Sequence, residues 1–516
     1  MEQTDVFVEA QERLGALEWW RHALSHGGIN TVPLPERVVG GLAKLKPRLV
    51  RVFLQEHFNI YPEHNRFDWS VLDPYMDALA RTGAKVAAAI TIKPKVLYPK
   101  VDHAIWRPTD WGEWQRVMRE MVKRYSVDKR IVTHWEVGNE TDIGENGGSP
   151  YLIPDPKDYF EYYSNTVKAV LEAWPAAKVG GPAACWVDNE PLPGLVKLCR
   201  ETGTQLDFIS WHLYSDDASR HAIGVEKAKE LLRDYPGPRP EMFVTEWSKS
   251  FDKLSYEDLA FEPRRAAIIA ACMLAMTEAG LDWSFYYHVW DQTFYSEPFR
   301  PFFSEAGIHM METHWNKVPH RFGFFGVGEE VRPHYFVYQM LGRLGDERIA
   351  AKCENGDVRV LAARGERHVA LMIVNLTEAR RPEDRAPTEG ASAARYRSNG
   401  NGEILRCGAR PAMQAAMAVV ARPCGPPSRP SGLGTRSDLA TQDDNWPRVV
   451  TTHFSRLSRG RKMLTVYRID EAQRWNPEAL ELRPLERREV WTSDEFHCQV
   501  YLPADTVAMV ELRDME

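Results

Sequence analysis

From about residue 27 to 290, short runs rich in β-branched and aromatic residues alternate with amphipathic stretches. That order builds a parallel sheet covered by helices. The runs are Gly27–Asn30, Arg48–Leu54, Lys85–Thr91, His134–Asn139, Lys178–Pro182, Asp207–Tyr214, Met242–Glu246 and Trp283–Val289, eight strands in all. Between them, Trp111, Trp114, Val117, Met118, Met121, Val122 and Tyr125 recur with helical spacing and define one buried face. Asp110, with Glu113 three residues on, is placed as a capping box at its start. Val71, Leu72, Tyr75, Met76 and Leu79 make a second stripe, with Asp68 to cap it and Gly83 to stop it. Eight strand-helix units in roughly 260 residues predict an α/β fold of the (β/α)8 TIM-barrel type. No GxGxxG follows the first run, which removes the signature of a dinucleotide-binding open sheet.

Past about residue 330 the pattern changes. Val369–Asn375 and Val500–Glu511 alternate without helical stripes between them, which predicts an accessory C-terminal β-domain, sandwich-like and antiparallel. The intervening chain is rich in Arg, Pro, Gly and Ala, as in Ala421–Ser437, with few large apolar residues to offset the entropy of ordering it. The expected organisation is a barrel with an N-terminal extension over 1–345, the β-domain over 346–377 and 463–516, and an exposed, partly disordered insertion over 378–462.

Composition narrows the partners. With 65 Lys+Arg against 72 Asp+Glu over 516 residues, the net charge of −7 offers no general attraction to phosphate polyanions, so nucleic acid is not expected. The longest apolar run, Ala266–Met276, has 11 residues, against the roughly 18–20 needed to cross a bilayer. No membrane partner is expected. The first thirty residues carry Glu2, Asp5, Glu9, Glu12 and Glu18 without an apolar stretch, so a cytoplasmic protein is expected. The 7 Cys include no CxxC and no Cys/His pair at zinc-ligand spacing, and neither a metal nor another cofactor is expected. By contrast 17 Trp, 19 Tyr and 20 Phe are more flat apolar surface with a polar handle than a core requires.

In a barrel of this type the chemistry sits at the C-terminal ends of the strands. The fourth run reads His134-Trp135-Glu136-Val137-Gly138-Asn139-Glu140 and the seventh Phe243-Val244-Thr245-Glu246-Trp247. Glu140 and Glu246 thus end two strands where a charge is otherwise an odd choice. Glycoside hydrolysis needs such a pair: one carboxyl kept protonated for the leaving oxygen, the other ionised to attack or stabilise the anomeric carbon.

These residues resemble the retaining (β/α)8 glycosidases, and longer stretches resemble glycoside hydrolase family 39, the family of β-xylosidases and α-L-iduronidases. The stretches are Trp111–Asp142, Tyr159–Ala183, Asp207–Tyr214 and Tyr467–Glu471. The resemblance implies that Glu140 is the general acid/base and Glu246 the nucleophile, with Asn139 on the sugar 2-hydroxyl. It implies that His212 and Tyr214 contact the sugar and the nucleophile, and that Tyr287 and Trp290 supply an aromatic floor, with Trp211 a further sugar-facing ring. It also implies a retaining exo-glycosidase that releases β-1,4-linked xylose from small oligosaccharides, with α-L-arabinosidase side activity. Three departures bear on the substrate. Gly138 stands where the family has a bulky Trp before Asn-Glu, Phe53 stands near the expected sugar-binding His, and Gln292–Ser296 lacks the paired Glu of xylosidases. An exopolysaccharide hydrolase using the same two carboxylates in an open groove is the alternative. A non-catalytic carbohydrate-binding protein is a third reading, though it has no need of both carboxylates.

Overall fold

The computed structural model describes residues 2–250, 263–316, 321–376, 447–472 and 474–515. A strand β1 (Glu2–Ala16) precedes eight parallel strands: β2 (His22–His26), β3 (Leu49–Gln55), β4 (Lys85–Thr91), β5 (Val132–Val137), β6 (Lys178–Ala184), β7 (Phe208–Tyr214), β8 (Glu241–Ser248) and β9 (Trp283–Tyr287). They close in sequence order into the expected barrel, β9 returning to β2 with His22 opposite Ser284 and Ser25 opposite Tyr287. The first strand is the one misplaced by the sequence. The chain pairs through His22–His26, and Gly27 and Gly28, at φ 98° and 86°, turn it out of the barrel before Asn30.

Side chains alternate across each strand. Ala23, Leu49, Ala87, Phe208, Phe243 and Phe285 fill the lower barrel as one apolar plug. Along β3 the same inward parity then carries Arg51, Phe53 and Gln55 toward the mouth. The helices cover the outer faces. Trp111–Val122 is a helix whose N-terminus Asp110 caps by accepting from the backbone N–H groups of Gly112 and Glu113. The capping box is half made, because the Glu113 carboxylate instead accepts from Tyr61 Oη at 2.5 Å. Asp68 stops short of the helix Leu72–Ala80 and binds the backbone N–H of Ser70. All of Ala266–Met276 is buried within the helix Pro263–Glu278, and among the described residues no helix is long and apolar enough to cross a membrane.

The accessory domain is a single nine-stranded sheet. To β1 it adds β10 (Glu347–Cys353), β11 (Val358–Arg364), β12 (His368–Asn375), β13 (Arg448–Ser455), β14 (Gly460–Ile469), β17 (Pro484–Thr492), β18 (Phe496–Leu502) and β19 (Thr506–Asp514). The short pair β15 (Trp475–Asn476) and β16 (Glu481–Leu482) stands apart. Val450 and Val500 from one end share a buried cluster with Leu464 and Val510 from the other, so the sheet wraps its own core. Two expectations shift. The N-terminal extension belongs to this sheet, since β1 runs antiparallel to β10 and parallel to β13. Residues 448–462, expected within the insertion, lie in β13 and the start of β14, where Val450 and Phe454 alternate into the core. Residues 378–446 of that expectation lie outside the described residues.

Candidate active site

Glu140 is not the end of a strand but sits three residues past Val137, in a tight turn. Gly138 at φ 94° and Glu140 itself at φ 44° bend the chain back over the barrel mouth. The Glu140 N–H donates to Ala183 O at 2.9 Å, tying this turn to the end of β6. Glu246 lies inside β8, and strict alternation would turn it outward, because Phe243 already faces the barrel interior. A β-bulge corrects this. Trp211 pairs with Val244, but the next residue, His212, pairs with Glu246, so Thr245 is the extra residue and Glu246 is aimed inward.

The two carboxyls meet over His212. One oxygen from each of Glu140 and Glu246 and one His212 ring nitrogen all lie within 4.8 Å of one another. His212 Nδ1 is hydrogen-bonded to Glu140 Oε1 at 2.8 Å and stands 4.0 Å from Glu246 Oε2. Beneath them lies Arg51, wholly buried. It donates from Nε to Glu136 Oε2 at 2.6 Å, from one terminal nitrogen to Glu246 Oε2 at 3.3 Å, and from the other to Asn139 Oδ1 at 2.7 Å. Tyr214 Oη donates to the other Glu246 oxygen, Oε1.

These surroundings separate the two acids. Burial pushes the Glu140 carboxyl up to about 8, opposed only partly by Arg51, so it holds its proton at neutral pH. The Glu246 carboxyl is also pushed up, by burial first and by the neighbouring Glu140, and His212, Arg51 and the Tyr214 hydroxyl offset only part of this. His212 is driven down to about 4 by burial and is neutral. Glu140, His212 and Glu246 are also the group among the described residues able to chelate a cation. The Arg51 guanidinium, 3.3 Å from a Glu246 oxygen, opposes a second positive charge there.

The wall is aromatic. Phe53, Tyr214, Tyr287 and Phe322 form one cluster, with the Arg51 guanidinium 4.5 Å from the Phe53 ring centroid. Of the residues expected in the site, the structure therefore brings together Glu140, Glu246, Asn139, His212, Tyr214 and Tyr287. Trp290 is set apart: it stacks on His26 at 6.3 Å and joins the core outside this cluster. Trp211 is fully buried on the opposite face of β7, with its indole near Gly224 of the covering helix Ala218–Leu232. Arg51 and Glu136 join the site beyond the expected residues, and each is signalled in the sequence as a lone acidic or basic residue in a largely apolar strand. Gly147 gave no signal. A Cβ built on it would lie 2.0 Å from Glu140 Oε2 and 2.8 Å from Glu140 Cβ, so its bare backbone is what lets the acid occupy its place.

The family model for glycosyl hydrolases family 39 matches residues 48–379. A beta-xylosidase from Caldicellulosiruptor saccharolyticus is 25% identical over 340 residues, an alignment that covers 60% of this chain and 64% of that protein's length. A crystal structure of a monomeric beta-xylosidase from Caulobacter crescentus superposes with a TM-score of 0.67 at 17% identity, covering 99% of this chain and all of the other. A glucosidase from Croceicoccus marinus superposes with a TM-score of 0.66, also at 17% identity, covering 100% and 99%. With the family model spanning more than half of its length, the chain belongs to glycosyl hydrolases family 39.

Proposed function

We propose that the protein is a retaining exo-glycosidase acting on β-linked xylose at the end of small oligosaccharides. The observation that carries this is the approach of Glu140 and Glu246, with oxygens within 4.8 Å, where burial keeps Glu140 protonated while Arg51 and the Tyr214 hydroxyl are hydrogen-bonded to Glu246. Retaining enzymes hold their carboxyl groups roughly 5–5.5 Å apart and inverting ones about 6.5–9.5 Å. Glu246 attacks the anomeric carbon while Glu140 gives its proton to the departing glycosidic oxygen, leaving a glycosyl ester on Glu246 and a carboxylate on Glu140. A water molecule then loses its proton to Glu140 as its oxygen displaces Glu246 from the sugar. Xylose is favoured by the beta-xylosidases among the relatives and by the charge inventory: the Arg51 cation is already engaged by Glu136 and Glu246 and is not offered to a uronate.

A panel of aryl glycosides scored by kcat/KM tests the sugar. The β-xyloside should lead, the α-L-arabinoside should follow, and β-glucuronide and α-L-iduronide should be weakest. A uronide at the head of the series would overturn the assignment.

The same geometry makes Gly147→Ala informative, because its new Cβ collides with both the carboxyl and the Cβ of Glu140. Displacing a catalytic group by about 1 Å typically costs on the order of 10²-fold. A loss of that size in kcat/KM is expected with an unchanged circular dichroism spectrum, and wild-type kinetics in the variant would detach Glu140 from the reaction.

A further inference from the structure

A bulky aromatic side chain reaches the turn beside the acid from another part of the fold. The helix Glu305–Trp315, which follows β9 in sequence, is fastened at both ends to the turn Gly144–Gly148 beside the acid. At its start, Ser304 donates to the Glu145 carboxylate from its backbone N–H at 2.8 Å and from its hydroxyl. Gly307 lies so near that a Cβ there would be 2.8 Å from the same carboxyl. At its end, the Trp315 ring lies over Gly148, where an added Cβ would be 3.0 Å from Cη2, and its Nε1–H donates to Tyr287 Oη at 3.4 Å. The indole also packs on the cluster containing Ile29, Phe294 and Phe299. Gly148 follows the glycine that abuts Glu140, and Tyr287 belongs to the aromatic cluster that includes Tyr214, the donor to Glu246. Trp315 therefore bridges the turn beside one carboxyl and the wall beside the other, and remains only half-buried.

We propose that Trp315 is the stacking wall of the sugar pocket and closes it behind a single terminal sugar, from a helix that follows the last strand. An indole face suits this, because it offers a large rigid apolar surface to a sugar ring. The inference rests on the glycosidase reading above. It is tested with p-nitrophenyl β-xyloside on the wild type, Trp315→Leu, which keeps apolar bulk without a π face, and Trp315→Phe, which keeps a face.

Trp315→Leu should raise KM about tenfold, the loss of roughly 1.4 kcal/mol of stacking. Its alkaline pH limb should stay in place, and Trp315→Phe should recover most of the KM. An unchanged KM in Trp315→Leu would overturn the proposal, as would equal losses of kcat and melting temperature in both variants, the mark of a purely structural role. No turnover of any aryl glycoside by the wild type would instead remove the glycosidase reading on which the proposal depends.

Discussion

Replacing Glu246 by alanine should lower kcat on p-nitrophenyl β-xyloside by roughly 10⁴- to 10⁶-fold, the scale seen when a nucleophile is removed while binding is retained. Nothing else described in the site can take its place. His212 is neutral, held by Glu140, and 4.0 Å from the nearer Glu246 oxygen. Tyr214 is kept protonated, its hydroxyl pushed up by burial and by Glu246 itself. Because Glu246 lies against Arg51, the loss leaves a small anion-sized space beside a fixed cation. Azide should therefore restore turnover, and the product should be the α-xylosyl azide, since azide attacks from the face the carboxylate has vacated. Unchanged turnover in the variant, or a β-azide as product, would show that Glu246 is not the attacking group.

The second large effect is expected at Glu140, where the loss depends on the leaving group. General acid catalysis contributes about 10²- to 10⁴-fold. Glu140→Ala should lose close to the upper figure on xylobiose, whose departing alkoxide needs a proton, and least on a dinitrophenyl xyloside, which departs without one. Azide here should give the β-xylosyl azide, formed on the ester intermediate. The pH profile carries a further mark. The competent form of Glu140 is the protonated one and burial raises its pKa to about 8, so wild-type kcat/KM should hold below that value and fall as pH rises through it. The alkaline limb should vanish in Glu140→Ala measured on the dinitrophenyl substrate. Equal losses on all leaving groups, or a limb that survives the substitution, would assign the acid elsewhere.

The bulge in β8 explains why the pair was legible as residues but not as geometry. In the sequence, Phe243-Val244-Thr245-Glu246-Trp247 reads as simple alternation, which puts Phe243 and Thr245 on one face and Glu246 on the other. The extra residue at Thr245 is visible only in the pairing with β7, because a bulge is a property of two strands and not of one. The same holds for Arg51. Its charge in an apolar strand was on view in the sequence, yet its role as the shared donor to Glu136, Asn139 and Glu246 depends on bringing β3, β5 and β8 to one barrel level. Trp315 lies furthest from inference. It is 175 residues from Glu140 by numbering, and only the strapping of its helix onto the turn at Glu145 and Gly148 brings it to the mouth.

Local pattern was sufficient where the signal was periodic. The alternation of strand and helix determined the barrel. The placing of Asn139-Glu140 and Glu246 near the ends of the fourth and seventh strands marked these two carboxylates as a pair, and the His212-x-Tyr214 parity determined which face of β7 they share. Tertiary structure decided the rest. It assigned Glu2–Ala16 to the accessory sheet, because strand partners are chosen by edges far away in the chain. It placed Trp211 on the outer face of β7 and Trp290 against His26, because a buried aromatic ring has the same sequence signature whether it covers a helix or lines a cavity. It also set the surroundings of the two acids. Glu140 and Glu246 are the same side chain, and only their burial and their neighbours Arg51, His212 and Tyr214 make them chemically different.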